Sequence, residues 1–105
     1  MNIPIQSIRD LGIAIRAVRK SQKLRLDDTA GSAGVGEVFL RKVERGKETV
    51  QFGRVLRVLD ELGIRLIIDI PNDAKPRFDE LKETGLKPLP AKRPPKAPAD
   101  GRDIE

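Results

Sequence analysis

No proline falls between Pro4 and Pro71, whereas six of the eight in the chain lie beyond Pro71. Proline breaks helix interiors and sheet ladders. Residues 5 to 70 are therefore free to form continuous regular structure, and the C-terminal third is not. Within that window apolar residues recur at helical spacing and glycines fall where each pattern stops. Ile8, Leu11, Ile15 and Val18 share one face, with Ser7 as N-cap and Asp10 at the third helical position, which predicts a helix over 8–21. Asp27 and Asp28 suit a first turn and Gly34 a stop, giving a short helix over 26–33. After the tight turn Gly34-Val35-Gly36, a helix over 37–45 turns Val35, Phe39 or Leu40, and Val43 inward and ends before Gly46. Phe52, Val55, Leu56, Leu59 and Leu62 mark a fourth helix over 51–62, closed by Gly63.

The next run, IRLIIDI, is β-branched and cut by Pro71, so Ile64, Leu66, Ile67, Ile68 and Ile70 are expected on a strand. One strand leaves its backbone groups unpaired. With no second strand evident, pairing with the same strand of another copy satisfies them, which predicts a two-fold homodimer. The expected folded and dimerising domain is 1–71. The 105-residue chain at 38% hydrophobic content suffices for one core, not two. Residues 72–105 are poor in aliphatics and end in a Pro/Lys mixture near 88–98, expected as a flexible tail. A short helix over 76–85 fits there, with Pro76 near its start and Gly85 as its stop. The Pro/Lys stretch reads as a solubilising tail, a polyproline ligand or a second DNA arm, the first being favoured.

Lysine and arginine outnumber aspartate and glutamate by 21 to 16, a net charge of +5. That balance suits a polyanionic partner, nucleic acid or else an acidic membrane surface. Without Cys or His, disulfides, thiolate nucleophiles, the common zinc sites and histidine acid–base chemistry are excluded. No enzyme activity and no cofactor are expected. Asp27 and Asp28 are adjacent at a helix start and point apart, so the helix dipole explains them better than metal or acid–base work. Gly34-x-Gly36 lacks the Lys-Ser/Thr and the preceding strand of a phosphate loop. Neither a signal pattern nor an apolar run near the ~18 residues of a bilayer span is present, and a cytoplasmic, nucleoid-associated protein with no membrane partner is expected.

Two short helices around Gly34-Val35-Gly36, followed by the basic loop Arg45-Gly46-Lys47, have the pattern of a helix-turn-helix. A recognition helix must fit the major groove, aim its N-terminal side chains at base edges and be flanked by phosphate donors. From Arg16 to Lys47 there are nine basic residues against four acidic, an excess of five.

The segments LGIAIRAVRKSQKL, Ala30, AGVGEVFLRKVERGK and VLRVLDELGI resemble the Cro/C1-type (Xre) helix-turn-helix family over about residues 7–63. The resemblance implies an all-α, lambda-repressor-like bundle of four to five helices, here with one C-terminal β-strand pairing across a dimer. The ending ERGKETVQFGRVLRVLDELGIRLIIDI is most similar to HipB-type antitoxins. Members of that branch dimerise through such a strand, repress their own operon and hold a HipA-type kinase toxin. The family pattern also implies a buried ion pair of Arg19 with Glu44. Its base-reading positions fall on Gly36, Glu37, Val38 and Lys42, with Arg41 beside them. Its phosphate positions fall around Lys23, Arg25, Leu26, Arg45 and Lys47. The family's usual Thr-Gln is replaced by Arg25-Leu26, so the helix cap and the glutamine bond to phosphate are missing and Arg25 would substitute by charge.

Each assignment has a plainer counterpart. Arg41, Lys42, Arg45 and Lys47 form either a solvated basic face or the DNA-binding surface, the latter favoured by turn spacing and family pattern. Glu37 either accepts from cytosine N4 or stands neutral among phosphates, and Val38 either packs on a thymine methyl or is plain exposed surface. The function expected is a sequence-specific transcriptional repressor, the antitoxin and autorepressor of a HipBA-like operon, binding double-stranded operator DNA. The alternative is a protein-interaction adaptor or accessory subunit of a toxin–antitoxin complex, with weak DNA binding.

Overall fold

A computed structural model describes residues 1–85 of the chain. The Pro/Lys stretch at 88–98 lies outside the described residues. Four helices make the first of two compact units, Met1–Ile67: α1 (Ile8–Ser21), α2 (Leu26–Ala33), α3 (Glu37–Glu44) and α4 (Phe52–Leu62). The second unit begins at Ile68 and contains a 3₁₀ turn (Asn72–Ala74) followed by α5 (Lys75–Thr84).

Local chemistry explains the boundaries. Ser7 Oγ accepts from the Asp10 amide at 3.1 Å, and Asp10 Oδ2 accepts from the Gln6 amide at 3.1 Å, a capping exchange that satisfies two free donors at the start of α1. At the other end, all four helices close with the same paired backbone bonds. In α2, Val35 N donates to Ala30 O and Gly34 N to Gly31 O; in α4, Ile64 N donates to Leu59 O and Gly63 N to Asp60 O. This closure needs a left-handed residue just past the helix. Gly34, Gly46 and Gly63 supply it after α2, α3 and α4, whereas α1 uses Lys23 at φ 59°, a conformation in which a side chain is disfavoured.

The core of the first unit is Leu11 and Ile15 of α1, Ala30 and Ala33 of α2, Leu40 and Val43 of α3, and Val55, Val58, Leu59 and Leu62 of α4. Of the two inward candidates on α3, Leu40 is fully buried and Phe39 is half-buried. On α4 the expected inward face is corrected: Phe52 and Leu56 are exposed, at 47% and 43%, and Val58 is buried in their place. The apolar arc of α4 is wider than the surface the other three helices offer it, so its edge stays outside.

The expected C-terminal strand, which would pair only across two chains, does not form within the single chain. From Ile64 to Ile70 the chain carries neither helix nor ladder, and the described residues contain no strand. A ladder requires a second extended segment, and within the described residues every other long apolar segment is committed to helix. Leu66, Ile67 and Ile68 are exposed. In the second unit, α5 starts one residue before the expected Pro76 and ends before Gly85 at φ 80°. It buries no residue, and its exposed surface carries i,i+4 and i,i+3 ion pairs, Lys75 with Asp79 at 2.8 Å and Arg77 with Glu80 at 3.5 Å. Among the described residues no helix is long and apolar enough to cross a membrane.

Candidate nucleic-acid interface

The outward surface of α3 is set by what its inner face must bury. Leu40 and Val43 point into the core, which at 3.6 residues per turn leaves Glu37, Val38, Arg41 and Lys42 turned away from it. Glu37, Val38 and Lys42 are exposed and Arg41 is half-buried. Gly36 caps the helix without a side-chain bond, so the first-turn amides of α3 carry no side-chain cover. Arg41 Nη2 donates to Glu37 Oε2 at 2.9 Å along the helix. The structure thus couples the two side chains, and Glu37 partly neutralises the cation beside it.

The tilt of α3 is fixed by its packing on α1. Arg19 Nε and Nη2 donate to Glu44 Oε2 and Oε1 at 2.7 and 2.9 Å, a two-pronged pair, while Nη1 donates to the Leu24 carbonyl at 2.8 Å. Side-chain exposure is only 10% for Arg19 and 6% for Glu44. The Glu44 hydrogen bonds raise the basicity of the Arg19 guanidinium against the opposing effect of burial. One side chain therefore ties α1, the end of α3 and the loop into α2. Backbones also meet directly: a Cβ on Gly12 would collide with the Val43 carbonyl oxygen and lie 2.9 Å from that of Glu44. One on Gly46, already at φ +83°, would lie 2.8 Å from Arg9 Cα. Apolar spacing along α1 does not single out Gly12. Its signal is an unforced glycine in the middle of a strongly amphipathic helix, the mark of a close helix–helix approach.

The flanking cations are placed differently from one another. Arg45 and Lys47 are exposed just past α3, and Lys23 is exposed at the turn into α2. Arg25, at the N-cap of α2, donates instead to Asp27 at 3.0 and 3.1 Å and lies 3.9 Å from Asp28. The bond from Arg25 holds the Asp27 carboxyl below the usual carboxylate range. A side chain expected to meet phosphate by charge is thus already shared with two carboxylates. An open cleft of about 180 Å³ is lined by Arg16, Arg19, Leu26, Arg41, Glu44 and Arg45. In the sequence Arg16 stands out only as part of the basic excess. Its position three residues before Arg19 is the signal that places it on the same side of α1.

A two-helix motif with a buried brace, an exposed second helix and basic flanks defines the helix-turn-helix class of DNA-binding domain. No protein-family model matches the sequence. The uncharacterized HTH-type transcriptional regulator y4mF of Sinorhizobium fredii is 45% identical over 71 residues, 68% of this chain and 93% of that protein. The chain belongs to the HTH-type transcriptional regulators. Among solved structures its fold is similar to that of a chain in a HipA–HipB–O2–O3 complex, at TM-score 0.62 and 16% identity over 66% of this chain and 97% of that one. A HipB–O4 20mer complex gives TM-score 0.61 with the same identity and coverage. The restriction-modification controller protein C.AhdI of Aeromonas hydrophila gives 0.50, at 24% identity over 55% of this chain and 84% of that one.

Proposed function

We propose that the chain is a sequence-specific, DNA-binding repressor in which α3 enters the major groove. The observation that carries this reading is the exposed face of α3, which presents Glu37, Val38, Arg41 and Lys42 on a helix braced from behind by Arg19 and Glu44. Lys42 and Arg41 suit the O6 and N7 acceptors of guanine, and Val38 a thymine methyl. Because Glu37 is bonded to Arg41, its role is to orient that guanidinium, in preference to accepting from cytosine. Arg45, Lys47 and Lys23 bind phosphates around the groove.

Two chains pair through residues 64–70, so that two copies of α3 address the two halves of an operator. The exposure of Leu66, Ile67 and Ile68 supports this, since a monomer leaves those side chains in water. The finer reading is an antitoxin and autorepressor partnered by a HipA-type kinase. The similarity of fold to HipB, solved as HipA–HipB–O2–O3 and HipB–O4 20mer complexes, supports it.

The test is a gel-shift titration against the DNA upstream of the chain's own gene, at two salt concentrations and with scrambled competitor. Saturable binding that survives competitor at physiological salt is expected. Binding lost to salt or competitor favours the adaptor reading and overturns the repressor one.

A further inference from the structure

We infer that the cleft between α1 and α3 is an oxyanion site, with Arg16 its principal unassigned ligand, and that its occupant is a phosphodiester group of the DNA backbone. The inference rests on the DNA-binding reading and adds a phosphate ligand that neither the turn motif nor the recognition helix supplies.

The charge distribution inside the cleft is the starting point. Four of its six lining residues are arginines and one is a glutamate. Glu44 is spent on Arg19, as a buried two-pronged pair, and Arg41 is shared with Glu37. Arg16 and Arg45 have no ion-pair partner among the described residues. Two arginines without an ion-pair partner among the described residues therefore line one open cleft with room for a tetrahedral anion. Guanidinium presents a planar fork of donors that matches phosphate oxygens, and such charge-assisted bonds are the strong ones.

The start of α2 explains why a second phosphate ligand is needed. Its N-cap makes no side-chain bond to the helix, and its first turn carries two carboxylates, Asp27 and Asp28. Arg25 is bonded to Asp27, and Leu26 has no hydrogen-bonding side chain. A phosphate approaching those amides would meet negative charge. The cleft is lined by Leu26 but by neither aspartate, so the attraction moves from the α2 terminus to Arg16 and Arg45. Because Arg41 lies on α3 and Arg45 directly follows it, an anion held here sits beside the groove that α3 enters. That position favours a backbone phosphate over free inorganic phosphate, which shares the same chemistry.

The experiment uses the full chain, the upstream duplex, an unrelated duplex of equal length, and a series of salt concentrations. Arg16 is exposed, so Arg16→Ala is expected to fold, as a thermal melt would verify. It should weaken binding to both duplexes by the same factor and make the plot of log affinity against log salt shallower by about 0.9 for each phosphate no longer neutralised. An Arg16→Ala chain with the wild-type slope, beside a Lys47→Ala chain with a reduced one, overturns the cleft assignment and leaves DNA binding intact. A wild-type chain that binds neither duplex overturns both readings. Titration with inorganic phosphate, followed through the Arg16 Nε–Hε resonance, separates the sources. A saturating shift in the absence of DNA, with an unchanged duplex slope in Arg16→Ala, assigns the cleft to a free anion and overturns the phosphodiester.

Discussion

The same substitution has opposite expected effects at two glycines of the first unit. Gly31 lies inside α2 with nothing within 4 Å of an added Cβ, so Gly31→Ala should raise stability by about 0.5–1 kcal/mol through helix propensity and reduced unfolded-state freedom. Gly12→Ala must instead push α1 off the Val43 and Glu44 carbonyls and should cost about 1–3 kcal/mol. Denaturant melts of the two variants check the pair, and equal shifts would contradict the close approach. Thr29 offers a third case: it is 2% exposed and its hydroxyl has no protein partner. Thr29→Val keeps the shape and removes the orphaned group, so a gain of about 1 kcal/mol is expected in the same measurement. Sequence alone marks Gly31 as a helix defect, because propensity is local. The sequence flags Gly12 as a mid-helix glycine but not the Val43 and Glu44 carbonyls it meets, nor that Thr29 is buried without a partner, since both depend on which segments pack within reach.

At the level of the helices, α3 is held as a lever by the Arg19–Glu44 brace. Glu44→Ala leaves a guanidinium buried among α1, α3 and the Leu24 carbonyl, and should destabilise the chain by about 3–5 kcal/mol, read from urea unfolding. A loss near that of an exposed pair, under about 1 kcal/mol, would mean that the brace is solvated. The outward face of α3 predicts a division of labour. Lys42→Ala should reduce binding to the preferred sequence by about 1–3 kcal/mol, whereas Lys47→Ala should weaken all sequences alike. Competition titrations with single-base operator variants distinguish the two, and unchanged discrimination in Lys42→Ala would remove that side chain from base reading. The helices themselves are legible from capping residues and 3.6-residue spacing. The inward face of α4 is not, because Phe52 and Leu56 satisfy the helical period as well as Val58 does, and only the width of the opposing surface chooses among them.

For the protein as an assembly, the exposed run Leu66-Ile67-Ile68 gives the decisive prediction. Ile68 is 75% exposed, so Ile68→Asp should leave the four-helix unit folded. It should also halve the mass measured by sedimentation if the run pairs between chains, since a buried unpaired carboxylate opposes the interface. A dimer that survives this change, with a melting curve unaltered, would place the interface elsewhere. Helix positions, turns and the basic excess from Arg16 to Lys47 follow from the order of residues, because helix periodicity, capping and glycine stops act over a few neighbours. Packing brings Arg19 to Glu44, 25 residues away, draws Arg16 and Arg45 around one cleft, and offers 64–70 no second strand within the described residues of its own chain. Such features join segments remote along the chain, so their existence depends on how close whole helices approach and on whether a second strand is at hand, quantities that no local pattern of residues contains.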